Sequence, residues 1–109
     1  MKGNKTMENF KSSKFTAKDM FNSTSATSIK DVEGKEIKVV AVAIKNRADG
    51  EEQAGLLKAE DGTIYVTTSV TIMEQLLALR EMVEEGSQTV KIVGRTSNNN
   101  RTYYLLELV

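Results

Sequence analysis

Six consecutive apolar residues, Val39-Val40-Ala41-Val42-Ala43-Ile44, lie between Lys35-Glu36 and Lys45-Asn46-Arg47. The run is rich in Val and Ile and suits a central strand better than a helix. A central strand needs partners, and the sequence supplies them on its C-terminal side. Asp49-Gly50 is a hairpin signal, because Asp and Gly accept the positive φ of tight turns. A second strand then covers about residues 54–59. Asp61-Gly62 is a second turn of the same kind, and Thr63-Ile64-Tyr65-Val66-Thr67-Thr68 alternates as a third strand.

The period then changes. Ile72, Leu76, Leu79 and Val83 fall at helical spacing, with Met73, Leu77 and Met82 widening the stripe. Thr71 with Glu74 forms a capping-box pattern, and Gly86 is placed as the C-terminal stop. A fourth strand follows over residues 89–94. Residues 96–101, Thr-Ser-Asn-Asn-Asn-Arg, form a loop in which Asn tolerates positive φ. Residues 102–109 form the fifth strand. Three strands, a helix and a closing hairpin are the order of a five-stranded OB-fold barrel, an all-β fold whose single helix plugs one end. The rival is an open α+β sheet with one helix on a face.

Composition narrows the chemistry. The chain has 109 residues with no Cys and no His. One modest core is therefore the expectation, with no disulfide, none of the common zinc sites and no Cys or His nucleophile–base pair. The turn acids Asp49, Glu51, Glu52 and Asp61 lack the spacing of a calcium loop, and no nucleophile or acid–base set is recognisable, so the chain reads as a non-enzyme without metal or cofactor. It contains no apolar run long enough to span a bilayer and no signal-peptide pattern, so no membrane partner and a cytoplasmic location are expected. Residues 1–14 read as a flexible Lys-rich tail and residues 15–109 as one OB-fold domain. Phe15 and Phe21 are expected to pack into that domain, and residues 23–28 to form a polar loop.

Formal net charge is zero, yet charge is unevenly spread. Residues 1–18 hold five Lys against one Glu, residues 49–61 five acids against one Lys, and the last 22 residues Lys91, Arg95 and Arg101 against Glu107. Phosphate binding requires a local basic surface more than a basic whole.

These residues carry a resemblance. From Ala59 onwards, Ala-Glu-Asp-Gly-Thr-Ile-Tyr-Val-Thr-Thr-Ser, the helix, and then Thr-Val-Lys-Ile-Val-Gly-Arg-Thr-Ser-Asn-Asn-Asn-Arg-Thr-Tyr-Tyr-Leu-Leu-Glu-Leu resemble the single-stranded DNA-binding proteins of small tailed phages with protein-primed replication, the phi-twenty-nine-like group. Met20-Phe21-Asn22 and the segment from Asp31 to Glu36 are similar to that family's N-terminal half. The resemblance implies an OB fold and coating of displaced single strands during replication in the bacterial cytoplasm. It also implies no cofactor; single-stranded DNA is the expected partner, replication proteins a further candidate, and oligomerisation is left open. The acidic segment of residues 49–61 and the zero net charge depart from the pattern.

The binding residues expected from strand alternation follow. Ile64 and Val66, Val90 and Ile92, and Tyr104, Leu106 and Leu108 face the core. Tyr65 and Tyr103 then lie on exposed faces as base-stacking candidates, with Tyr104 a further one. Lys91, Arg95 and Arg101 lie near them as phosphate contacts, and Lys45 and Arg47, with Lys38, extend the basic surface along the first strand. The alternative function is an OB-fold interaction or adaptor module of a phage or mobile element, in which an apolar aromatic patch replaces the basic groove.

Overall fold

The structure, a computed structural model, describes residues 8–46 and 52–109. Its strands are β1 (Phe10–Lys11), β2 (Thr27–Ser28), β3 (Glu36–Asn46), β4 (Gln53–Ala59), β5 (Ile64–Thr67), β6 (Gln88–Thr96) and β7 (Thr102–Leu108). Its α-helices are α1 (Ala17–Asn22) and α2 (Val70–Glu85). The five long strands and α2 match the sequence expectation. Two-residue strands β1 and β2 and the short helix α1 add to it, so among the described residues there are seven strands and two α-helices instead of five and one.

The sheet is mixed and runs β2-β5-β4-β3-β6-β7, with β1 paired to β3. Strand β3 organises it. β3 pairs antiparallel with β4 from Val39 to Asn46, and along its other edge first with β6 at residues 36–39 and then with β1 at residues 43–44. The register with β4 shifts between Val39 and Ala41. An irregularity of this kind changes the phase of alternation and bends the strand. Ile37 and Val39 point into the main core before it, Val42 and Ile44 after it. Ala41 and Ala43 consequently face the other side, where they pack with Leu56, Ile64 and Phe15 in a second cluster.

Helix α2 lies against the inner face of the curled sheet and buries Ile72, Met73, Leu76, Leu79 and Val83. Its N-cap is Ser69, whose hydroxyl accepts a hydrogen bond from the Ile72 N–H at 3.2 Å; the Thr71–Glu74 box therefore gives way to a cap two residues earlier. At the other end the Gly86 N–H donates to the Met82 carbonyl, as its position in the sequence suggested. Asn100 has φ 60° in the β6–β7 turn, in keeping with the tolerance expected of that loop. Gln75 of α2 reaches the outer edge of β7. Its amide donates to the Leu106 carbonyl and accepts from the Leu106 N–H, both at 2.8 Å.

The outer face of β3, β4 and β5 is covered by residues 12–26. Ser12 is buried, its N–H donates to the Val42 carbonyl at 2.9 Å, and its hydroxyl accepts from the Val42 N–H. Within the segment expected as a tail, residues 8–14 are thus docked on the sheet, held by β1 pairing and by Arg80 over the Phe10 ring at 4.9 Å; residues 1–7 lie outside the described residues. Helix α1 follows a capping box: the Asp19 N–H donates to the Thr16 hydroxyl, and the Thr16 N–H donates to the Asp19 carboxylate.

Two carboxylates fasten this cover. Lys58 of β4 donates to Asp19 at 2.8 Å. Burial pushes the Asp19 carboxyl up, but the Lys58 hydrogen bond and the two Thr16 bonds outweigh it and hold the group below its ordinary value. Glu84 of α2 accepts from the Ser13 hydroxyl and, at 2.8 Å, from the Ser13 N–H, and these bonds lower its value too.

Two expectations follow from this packing. A Cβ on Gly55 of β4 would stand 2.8 Å from Leu76 Cδ1 and 3.0 Å from Met73 Cγ, because α2 sits directly on the glycine. Gly55→Ala should lower stability by about 1–3 kcal/mol in urea unfolding, as overpacking does. Asp19, with its folded value depressed below 3.8, contributes stability that is whole above that value and lost as pH falls through the folded value. Asp19→Asn should therefore melt below wild type at pH 7, and the gap should close as pH falls beneath the folded value. Equal melting temperatures at pH 7 would remove the Lys58–Asp19 contact from the account.

Candidate nucleic-acid interface

Strands β2 and β7 end the path of the sheet, and the curl brings them to opposite walls of one groove of about 350 Å³. Among the described residues β7 pairs only with β6, so the seam between these two edges is not bridged by a backbone ladder. One wall is Ser28, Ile29 and Lys30 with the end of β5 and the Thr68-Ser69 lead into α2. The other wall is Thr102, Tyr103 and Tyr104 of β7. A single long contact crosses the floor, from the Ser69 hydroxyl to the Tyr104 carbonyl at 3.5 Å.

The groove is mixed in character, with Ile29 and Val66 adding apolar surface. Ser28, Thr67, Thr68, Ser69 and Thr102 line it with hydroxyls, Lys30 supplies a cation, and no carboxylate lies among its lining residues. Tyr103 is 41% exposed at the lip, while Tyr104 is half-buried and packs against the main core. Arg101 precedes the β7 wall and is exposed. Such a surface offers hydrogen bonds and positive charge to an anion and an aromatic face to a base.

The structure sorts the residues expected from the sequence. Tyr103 is exposed, as alternation placed it, directly opposite Arg95 in the β6–β7 register. Tyr65 is the main correction. It faces the main core at 3% exposure, paired with inward Leu57, and Lys35 donates to its hydroxyl at 3.1 Å. That bond is the main cause holding the Lys35 ammonium above its ordinary value. The alternation failed because Ile64 and Val66 are apolar too but face the second cluster under residues 15–26. Period-two reading presumes one wet face, and β5 has none. Leu108 is the converse case: its strand phase is inward, yet it overshoots the core and is 61% exposed.

The cations scatter. Lys91 stands opposite both Glu36 and Glu107 in the sheet register, and Arg95 donates to Glu107 at 2.7 Å. The outward face of the β6–β7 hairpin is therefore balanced in charge rather than basic. Lys38 pairs with Glu60 at 3.3 Å. Lys45 lies on the opposite side of the sheet, donating to the Ser23 hydroxyl at 3.0 Å, and Arg47 falls outside the described residues. Lys30 was missed by sequence reading, because nothing local marks a lysine after a polar loop as a groove residue. Phe15 is buried as expected, but Phe21 is 79% exposed. Helix α1 was not expected, although Thr16-Ala-Lys-Asp carries its signal, an Asp three residues after Thr.

No three acidic residues come together as metal ligands would among the described residues, and no helix there is long and apolar enough to cross a membrane. No family model, no curated protein and no solved structure matches the chain.

The two tyrosines should separate cleanly in stability. Truncating buried Tyr65 to Ala should cost about 3–5 kcal/mol, in line with large-to-small aromatic changes in cores. Tyr103→Ala should stay within about 0.5 kcal/mol of wild type, as surface changes do. Guanidinium unfolding followed by circular dichroism reads both, and equal losses would contradict the assignment of faces.

Proposed function

We propose that this chain binds single-stranded DNA without base preference, coating strands exposed during replication, and that the seam groove is its primary contact. The observation that carries the reading is Tyr103, an exposed aromatic at the lip of a groove rich in hydroxyls, free of carboxylates and flanked by Lys30 and Arg101. Stacking is sequence-tolerant because every base has a π-face, and only unpaired bases offer it. No side chain of the groove has the paired donor and acceptor of Asn or Gln with which base edges are read.

We read the sheet as a variant of the OB barrel. In support, β3 pairs with both β4 and β6, β3-β4-β5 form a meander, α2 follows the third long strand, and a hairpin completes the order. The resemblance of residues 59–109 to the phage single-strand-binding group points the same way.

A second reading has its own observation. An apolar hollow of about 170 Å³ lies between α2 and β7, lined by Ala78, Met82 and Leu108 among others, beside exposed Val109. A protein-interaction module would use that surface in place of the groove.

Fluorescence anisotropy with labelled oligothymidylate distinguishes the two. Wild type should bind single strands better than duplex of equal length, with affinity falling as salt rises. Tyr103→Ala should weaken binding by about 1–3 kcal/mol with the salt slope unchanged. Arg101→Ala should reduce the slope by about 0.7, the loss of one single-strand phosphate contact. No binding by wild type, or full binding by both variants, would overturn the groove as the interface.

A further inference from the structure

Phe21 is the most exposed of the large apolar side chains described, at 79%, although the chain has only three Phe and buries Phe15 completely. It projects from α1, a helix fixed at both ends of its packing. Asp19 is anchored to Lys58 and the capping box to Thr16, and the Ser23 hydroxyl both donates to the Met20 carbonyl and accepts from Lys45. A rigidly mounted, uncovered aromatic gains nothing for the core.

Its surroundings are cationic. Lys18 is three residues before Phe21, on the same side of the helix. Lys45 reaches Ser23 from the outer face of β3. Neither has a carboxylate partner among the described residues. The one acid of α1, Asp19, is committed to Lys58. Residues 20–30 contain no acid at all. That segment runs from Phe21 through the turn Ser23–Ser25 and β2 to Ser28 and Lys30 in the wall of the seam groove. The seven Cα–Cα steps from Phe21 to Ser28 span at most about 25 Å of chain.

We infer that α1 carries a second contact for the same single strand, with Phe21 as a stacking platform and Lys18 and Lys45 as phosphate partners, reached by nucleotides that leave the seam groove past β2. The inference rests on the single-strand reading above. Complementarity of the acid-free, cationic path to a phosphate chain selects nucleic acid as the occupant, and the exposed ring selects unpaired bases. A short strand fills the groove alone; a longer one reaches α1, within the range of about 4–16 nucleotides that one barrel covers.

Two oligothymidylates test it, of about five and about sixteen nucleotides, the ends of that range. Phe21→Ala should weaken binding of the long strand by about 5- to 150-fold, the worth of one stacked base, and leave the short strand unaffected. Tyr103→Ala should weaken both. Lys18→Gln should lower the salt slope for the long strand only, by about 0.7. The chain contains no Trp, so Phe21→Trp supplies a unique fluorophore, which should be quenched by the long strand and not by the short one. Wild-type binding of both strands with Phe21→Ala unaffected on either, or no quenching of the Trp variant, overturns this inference and leaves the groove reading standing. Absence of wild-type binding to either strand defeats the groove reading first. Vesicles of phosphatidylserine and phosphatidylcholine serve as the second arm. If wild type binds them, Phe21→Ala abolishes that binding and strand binding is untouched, α1 is a membrane contact and the inference fails.

Discussion

Strand β3 is buried on both faces from Ala41 to Ile44, and most of the architecture follows from how that is achieved. One face must meet α2 and the other must meet something else. The change of phase between Val39 and Ala41 lets a single strand serve a large-residue core through Ile37, Val39, Val42 and Ile44, while Ala41 and Ala43 leave room for Phe15 on the far side. The same irregularity bends the strand so that β4 and β6 leave its two edges along different lengths. Curling of the sheet, and with it the groove between the sheet's two ends, is the consequence.

How much of this was legible in the sequence depends on how many faces each strand hides. The apolar run of residues 39–44 announced its own burial. Strand β6 was read correctly because Val90 and Ile92 alternate with Lys91 and one face is wet. Strand β5 was misread because Tyr65 and its neighbours Ile64 and Val66 are all apolar, and the cover over the outer face lies some forty residues away in sequence. Alternation cannot assign a face when both are dry. The docking of residues 8–14 was equally hidden. It depends on buried Ser12 exchanging hydrogen bonds with Val42, and on Glu84 holding Ser13, pairings between polar residues that composition alone reads as tail.

The candidate site was half legible. Tyr103 and the hairpin turn with positive-φ Asn100 followed from local pattern. The charge did not. Lys91 and Arg95 look free in the sequence, but strand pairing sets Glu36 and Glu107 beside them, and exposed cross-strand pairs of this kind cancel charge more than they add stability. A neutral chain can still carry a local excess of cations, and here Lys18 and Lys30 bracket a segment whose one acid, Asp19, is committed to Lys58. Sequence bookkeeping by segment placed the basic excess at the two termini; folding brings part of the first of these onto the sheet instead.

The bond between Gln75 and Leu106 has an implication for how molecules meet. An edge strand ordinarily presents a row of free N–H and C=O groups onto which another strand can add. In β7 the side-chain amide of Gln75 supplies one donor and one acceptor in the geometry of a neighbouring backbone, so the middle of that edge is already occupied by a strand one residue long. The plug thereby hinders edge-to-edge growth of one copy onto another at this strand. The exposed Leu108 and Val109 lie beyond the plug, at the end of that edge.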